Sequence, residues 1–454
     1  MYMKLIYSYS KLQLKLCKMI NESQKYVYIF SWDFNIDYDI NIRESLINAT
    51  KRKVHVYIIT GGKHENPIDI NILTGIDIKY FHLKYKYNIG PKFEKSNMQK
   101  LFKFQTEVDF KYYNHIRCAL NDNYFLLGGV NVSKLYNGNT SQNMSGYNFT
   151  WYDSGMLLKD EHKRIYKFIH NLFHTINYDS TRENVIINKQ IQLISNNYDA
   201  YTELVNAIRQ SKQNIYIENQ YLASHKKHTT NKIAYEIAMR INRAINENKL
   251  FRVVLIINYR NYDETNVVQF CMTNTWLGTL YYIRSLVNCD DNMFNKYINI
   301  LTPRDDLNIR LIIHTKIYII DDIFCLYTTG NCMDRCFMDN AGEYELSIIT
   351  RNRDEVCNLY RQSINYFNKN TDKFMCINNI INTPINIGKM ICYIPNMLEF
   401  TIIRDNYSNK TYNSDTNQSL LFDTFIEYCI NPLYMLIDNS TFQEITGARK
   451  QLVG

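Results

Sequence analysis

The sequence predicts a duplicated α/β fold of two βαβ-rich lobes, each with a mixed sheet flanked by helices, and an active site at the pseudo-twofold interface between them. Three observations predict it. A strand, helix, strand order occurs twice along the chain. A histidine, a basic residue and an acid recur at one spacing in both halves, and an asparagine follows each set at almost the same distance. With 454 residues, 46% of them hydrophobic, the chain can fill two or three cores.

The elements follow in order. "KYVYIFSWDF" (25 to 34) reads as a strand, "RESLINATKRK" (43 to 53) as a short helix and "VHVYIIT" (54 to 60) as a strand again. The order returns with "QNIYIENQYL" (213 to 222), "NKIAYEIAMRINRAINEN" (231 to 248) and "FRVVLIIN" (251 to 258). In that second helix Ile233, Ile237, Ile241 and Ile245 recur every four residues, an apolar stripe suited to lying on a sheet. Each half then passes through a further strand, "IDIKYFHL" (76 to 83) or "INIL" (298 to 301), toward a histidine.

That histidine carries the repeat. "NHIRCALNDNYFLLGGVN" (114 to 131) holds His115, Arg117 and Asp122, and "LIIHTKIYIIDD" (311 to 322) holds His314, Lys316 and Asp321 at the same spacing. The sets lie 199 residues apart (314 − 115), and Asn131 and Asn331 lie 200 apart. From the composition, chance gives about 0.1 such triplets in the chain. On a strand, positions i and i+2 share a face, so each histidine and its cation point the same way. Two imidazoles and two cations in one pocket suit an anion. Phosphodiester transfer needs this set: cations for the phosphate oxygens, one imidazole to attack phosphorus, and another to move the proton of the leaving or incoming oxygen. The scheme requires no metal or other cofactor. A carboxylate on a ring nitrogen would fix each tautomer, and the sequence does not say which one.

These residues resemble the phospholipase D superfamily, whose signature HxK(x4)D occurs twice, each copy followed by a glycine-rich turn and an asparagine. The likeness covers most of residues 10 to 365 and includes "IYIENQYL" (215 to 222) and "WYDSG" (151 to 155). It implies His115 as nucleophile and His314 as general acid, with the reverse assignment as the alternative. It also implies Arg117 and Lys316 on phosphate, Asp122 and Asp321 as the motif acids, Asn131 and Asn331 as phosphate contacts, and Glu345 of "GEYELSII" orienting a histidine, with Glu343 competing for that role. There are three departures from the family pattern. Arg117 replaces the family lysine, "TTGN" (328 to 331) stands where GSxN is usual, and "GGVN" (128 to 131) lies about a residue closer to Asp122.

The resemblance implies a phospholipase D-type phosphodiesterase acting on phospholipid head groups. The alternatives are a nuclease acting on DNA or RNA and a weakly active viral envelope or membrane-remodelling protein of the same fold. The net charge of +8 favours anionic partners. The segment 82 to 104 alternates Lys with aromatics, as a solvated loop, a nucleic-acid groove or a membrane-resting surface would. Eleven scattered cysteines, none in a CxxC pair, argue against a disulfide framework and for a reducing compartment. The first twenty residues are interrupted by lysines and lack a secretory core, and no apolar run is long enough to span a bilayer, so an intracellular, soluble or peripheral protein is expected. The expected organisation is a first lobe at 1–190, a second at 191–365 and a C-terminal extension at 366–454. In that extension, 419 to 438 has helical spacing broken by Pro432.

Overall fold

The computed structural model describes residues 3–32, 34, 39–60, 76–80, 85–86, 105–106, 113–132, 141–142, 148–159, 164–175, 184–224, 230–258, 276, 279–280, 282–304, 310–338 and 343–376. The expected helix at 419 to 438 and nearly all of the segment 82 to 104 lie outside these residues.

Short runs of Ile, Val, Tyr and Phe bounded by turns become strands, and two large sheets result. The first has seven strands in the order Met3–Tyr7, Ser154–Lys159, Tyr124–Leu127, Cys118–Asn121, Tyr26–Ser31, His55–Thr60 and Ile76–Tyr80. The second has nine, and seven of them repeat that order: Ile191–Ile194, Ser347–Thr350, Phe324–Thr328, Ile317–Ile320, Asn214–Glu218, Arg252–Ile256 and Ile298–Pro303. Strand directions repeat too. Tyr26–Ser31 runs parallel to its βαβ partner and antiparallel to Cys118–Asn121, and Asn214–Glu218 does the same with its own neighbours. The duplication read from the spacing is therefore present in the topology.

The helices that make the crossovers cover the outer faces. Ile40–Lys51 starts at Asp39, whose carboxylate accepts from the Asn41 and Ile42 amides. Ile233–Asn246 buries Ile233, Ile237 and Ile241 on the second sheet, the stripe seen in the sequence. The inner faces of both sheets share one core, in which Phe30 and Leu127 of the first join Ile319 and Tyr327 of the second. The helices Arg164–Thr175 and Arg353–Asn368 add to that layer. The second of these returns to the first half of the chain, where Gln362 accepts from the Leu5 amide and Tyr366 stacks on Tyr7 at 4.2 Å.

One expectation is corrected. The histidine segments are not continuous strands. Arg310–Ile313 ends before His314 and a new strand starts at Ile317; likewise Tyr113–Asn114 ends before His115 and Cys118–Asn121 begins after Arg117. Each short leading strand pairs with the opposite half of the chain, Arg310–Ile313 in parallel with Phe149–Tyr152 and Tyr113–Asn114 with Glu343–Tyr344. The chain must change sheets at each histidine, so the ladder breaks there and the side chains are released from strict alternation.

Candidate active site

The exchange between halves builds the site. The His314 amide donates to the Tyr152 carbonyl at 2.9 Å, and the His115 amide to that of Tyr344 at 3.0 Å. The residue after each of those tyrosines is an acid. Asp153 Oδ2 lies 2.7 Å from His314 Nδ1, and Glu345 Oε1 lies 2.6 Å from His115 Nδ1. Each ring is thus held by a carboxylate from the other half, which sets Nδ1 as the protonated nitrogen and turns Nε2 outward.

The cations differ. Arg117 directs a guanidinium nitrogen at His115 Nε2, 2.6 Å away, whereas Lys316 Nζ donates to the His314 carbonyl at 2.6 Å and to Gln220 Oε1 at 3.1 Å. The Gln220 carbonyl is in turn fixed by the indole N–H of the fully buried Trp276. The other two tryptophans flank the histidines edge-on, Trp32 at 6.1 Å from His115 and Trp151 at 4.9 Å from His314.

The two sets share one electrostatic environment. All six of His115, Arg117, Asp153, His314, Lys316 and Glu345 are at most 8% exposed. Burial, then Lys316, with Arg117 of the first set adding to it, pushes His314 down to about 3. Burial, then Arg117, brings Lys316 down to about 7. Burial opposes the charge on Asp153, yet His314, Lys316 and Arg117 together hold its carboxyl below the usual value. Burial thus disfavours the charged forms of His314 and Lys316, and the Arg117 guanidinium adds like-charge repulsion to both.

A family model described as "Cardiolipin synthase, PLD-like domain" matches residues 16–167. Residues 16–167 are thus similar to a phospholipase D-like domain. Phospholipase D A of Dictyostelium discoideum is 28% identical over 171 residues, which is 34% of this chain and 13% of that protein. Phospholipase D C of the same organism is 28% identical over 183 residues, 36% and 11% of the two chains. The match therefore spans little more than a tenth of either relative. Among solved structures, the phosphatidylserine synthase of Haemophilus influenzae Rd KW20 superposes with a TM-score of 0.54 at 11% identity, covering 88% of this chain and 94% of that one. That likeness speaks to the phospholipase D-like fold alone.

Of the residues singled out in the sequence, His115, Arg117, His314, Lys316 and Glu345 come together in the site, Glu343 lies in the short strand paired with Tyr113–Asn114, and Asp122 and Asp321 lie apart. Asn131 is buried, its side-chain oxygen taking the Ser31 hydroxyl at 3.3 Å. The Asn331 side-chain oxygen is buried with no partner among the described residues. Asp122 and Asp321 belong elsewhere. Asp122 accepts from the Gln24 and Lys25 amides, and Asp321 from those of Lys212, Gln213 and Asn214, so each fastens the start of its neighbouring central strand. At about 3.3 Å per residue, Asp321 lies roughly 16 Å along the strand from Lys316. These two acids secure the scaffold and do not hold the histidines.

Asp153 is the residue sequence reasoning passed over. Its signal was the "WYDSG" segment, which mirrors "YELSI" around Glu345. Thr329 was also missed: its hydroxyl donates to Glu345 Oε2 at 2.6 Å, while Thr328 Oγ1 accepts from the Gly330 amide and the Ser347 hydroxyl. The substituted "TTGN" turn thus supplies its own polar contacts. A Cβ at Gly330 would stand 3.1 Å from Glu345 Cγ, so a larger residue there would require the Glu345 side chain to shift by a few tenths of an ångström.

Proposed function

We propose that this chain is a phosphodiesterase of the phospholipase D type, hydrolysing or transphosphatidylating phospholipid head groups through a covalent phosphohistidine. In this reading the lobes are residues 1–190 and 191–365. The reciprocal hold of each histidine by the other half's acid, beside Arg117 and Lys316, carries the reading.

The phosphodiester anion enters between Arg117 and Lys316. Its charge offsets theirs, which raises His314 and Lys316 toward their protonated forms. His115 Nε2, with Nδ1–H on Glu345, attacks phosphorus. The bond to the leaving alcohol breaks, and His314 gives its proton to that oxygen. Asp153 stabilises the His314 imidazolium and keeps Nε2 pointed at the oxygen. In the second step His314 removes a proton from water or an alcohol, whose oxygen attacks phosphorus, and the P–N bond to His115 breaks.

Phosphatidylcholine vesicles with a short-chain alcohol test this: the expected products are free choline and the phosphatidylalcohol, and replacing His115 or His314 should abolish both. Full turnover by a His314 variant would remove its role as acid. Cleavage of single-stranded DNA with no lipid turnover would transfer the proposal to a nuclease.

A further inference from the structure

The helix Arg164–Thr175 carries His170 and His174 one turn apart. Residues at i and i+4 share a helix face. Their ring centroids are 4.5 Å apart, with planes at 69°. An imidazole nitrogen binds a divalent transition ion at about 2.0–2.1 Å, which puts the ion about 3.2 Å from the ring centre. Two such legs with centres 4.5 Å apart meet at about 90°, an angle suited to adjacent ligands of one ion.

His170 is already oriented. Its Nδ1 lies 2.6 Å from the Tyr28 hydroxyl, and that hydroxyl is hydrogen-bonded to Tyr166. Tyr28 can therefore accept from Nδ1–H while donating to Tyr166, which leaves the His170 Nε2 lone pair for coordination. The Tyr166 ring stacks on His170 at 5.5 Å, and Tyr57 meets His174 edge-on at 6.4 Å. The pair ends the helix, where the carbonyl ends of the backbone dipoles favour a cation.

We propose that His170 and His174 form a binding site for a late first-row divalent transition metal of the Zn2+, Ni2+ and Cu2+ class, with water in the remaining positions. Imidazole suits these ions and does not suit Mg2+ or Ca2+. A bound ion would brace the last turns of the helix. The site is separate from both histidine sets of the proposed reaction and does not depend on that reading.

The test is calorimetric titration of the intact chain with Ni2+ alone, thiols kept reduced by a non-chelating reductant. At about pH 7.5 one saturable equivalent is expected that survives His314→Gln, is lost in His170→Gln and in His174→Gln, and weakens about tenfold in Tyr28→Phe. His174 is exposed, so its replacement leaves the core intact. Undiminished Ni2+ binding by His174→Gln, or no saturable equivalent in the wild type, would overturn the proposal.

Discussion

Replacing Glu218 by Gln should change how stability depends on pH, by an amount the structure sets. Glu218 is fully buried beneath the site, with Oε1 accepting from the hydroxyls of Tyr7, at 3.3 Å, and Tyr216. None of the groups acting on it is a cation. Burial therefore dominates and raises its carboxyl from 4.5 to about 7. A group that binds its proton more tightly in the native state favours folding while protonated. That advantage is fully present below pH 4.5 and is lost as pH rises through about 7. The difference between 4.5 and about 7 corresponds to about 3 kcal/mol. Gln keeps an acceptor for both phenols and cannot ionise. In urea unfolding of both proteins at about pH 5, 6, 7 and 8, the other titrating groups cancel in the difference. The variant should gain on the wild type by about 2.5 kcal/mol between the ends of that range. A difference that stays flat with pH would show that Glu218 does not titrate there, and the burial argument would fail.

Three further outcomes follow from the site. Asp153→Asn keeps the shape but cannot hold the His314 tautomer or its positive charge, so kcat should fall about 100-fold or more with KM little changed. With Lys316 lowered to about 7 in the free protein, its positive form is present below that pH and is lost above it. The profile of kcat/KM should fall on the alkaline side of neutrality, and Lys316→Arg, which stays charged, should flatten that limb. Gly128 has φ +83°, and a Cβ there would come within 2.4 Å of the Tyr327 hydroxyl. Gly128→Ala should therefore cost about 2–4 kcal/mol in denaturant unfolding, whereas a neutral result would mean that Tyr327 moves aside freely.

Much of this was legible in the sequence because duplication writes itself as spacing. The histidines, Arg117, Lys316 and both asparagines stood out at offsets of 199 and 200 residues, and the second crossover helix showed its isoleucine stripe. What the spacing could not reveal was who touches whom. Glu345 meets a histidine 230 residues away and Asp153 one 161 away, each across the repeat boundary. Asp122 and Asp321 repeat just as faithfully as the histidines, yet they fasten backbone amides. Periodicity marks a residue as structurally equivalent in both halves and does not separate scaffold from chemistry. The strand breaks at His115 and His314 were hidden for a related reason: apolar residues on both sides of each histidine continue the pattern while the chain crosses to another sheet.

The swapped carboxylates mean that neither half owns a complete histidine. If residues 1–190 and 191–365 were produced as separate polypeptides, each would present an imidazole with no acid to steer it, and function would return only on mixing, with a steep dependence on concentration. Joined in one polypeptide, the halves meet at the high effective concentration a covalent tether provides, so dilution cannot take the centre apart.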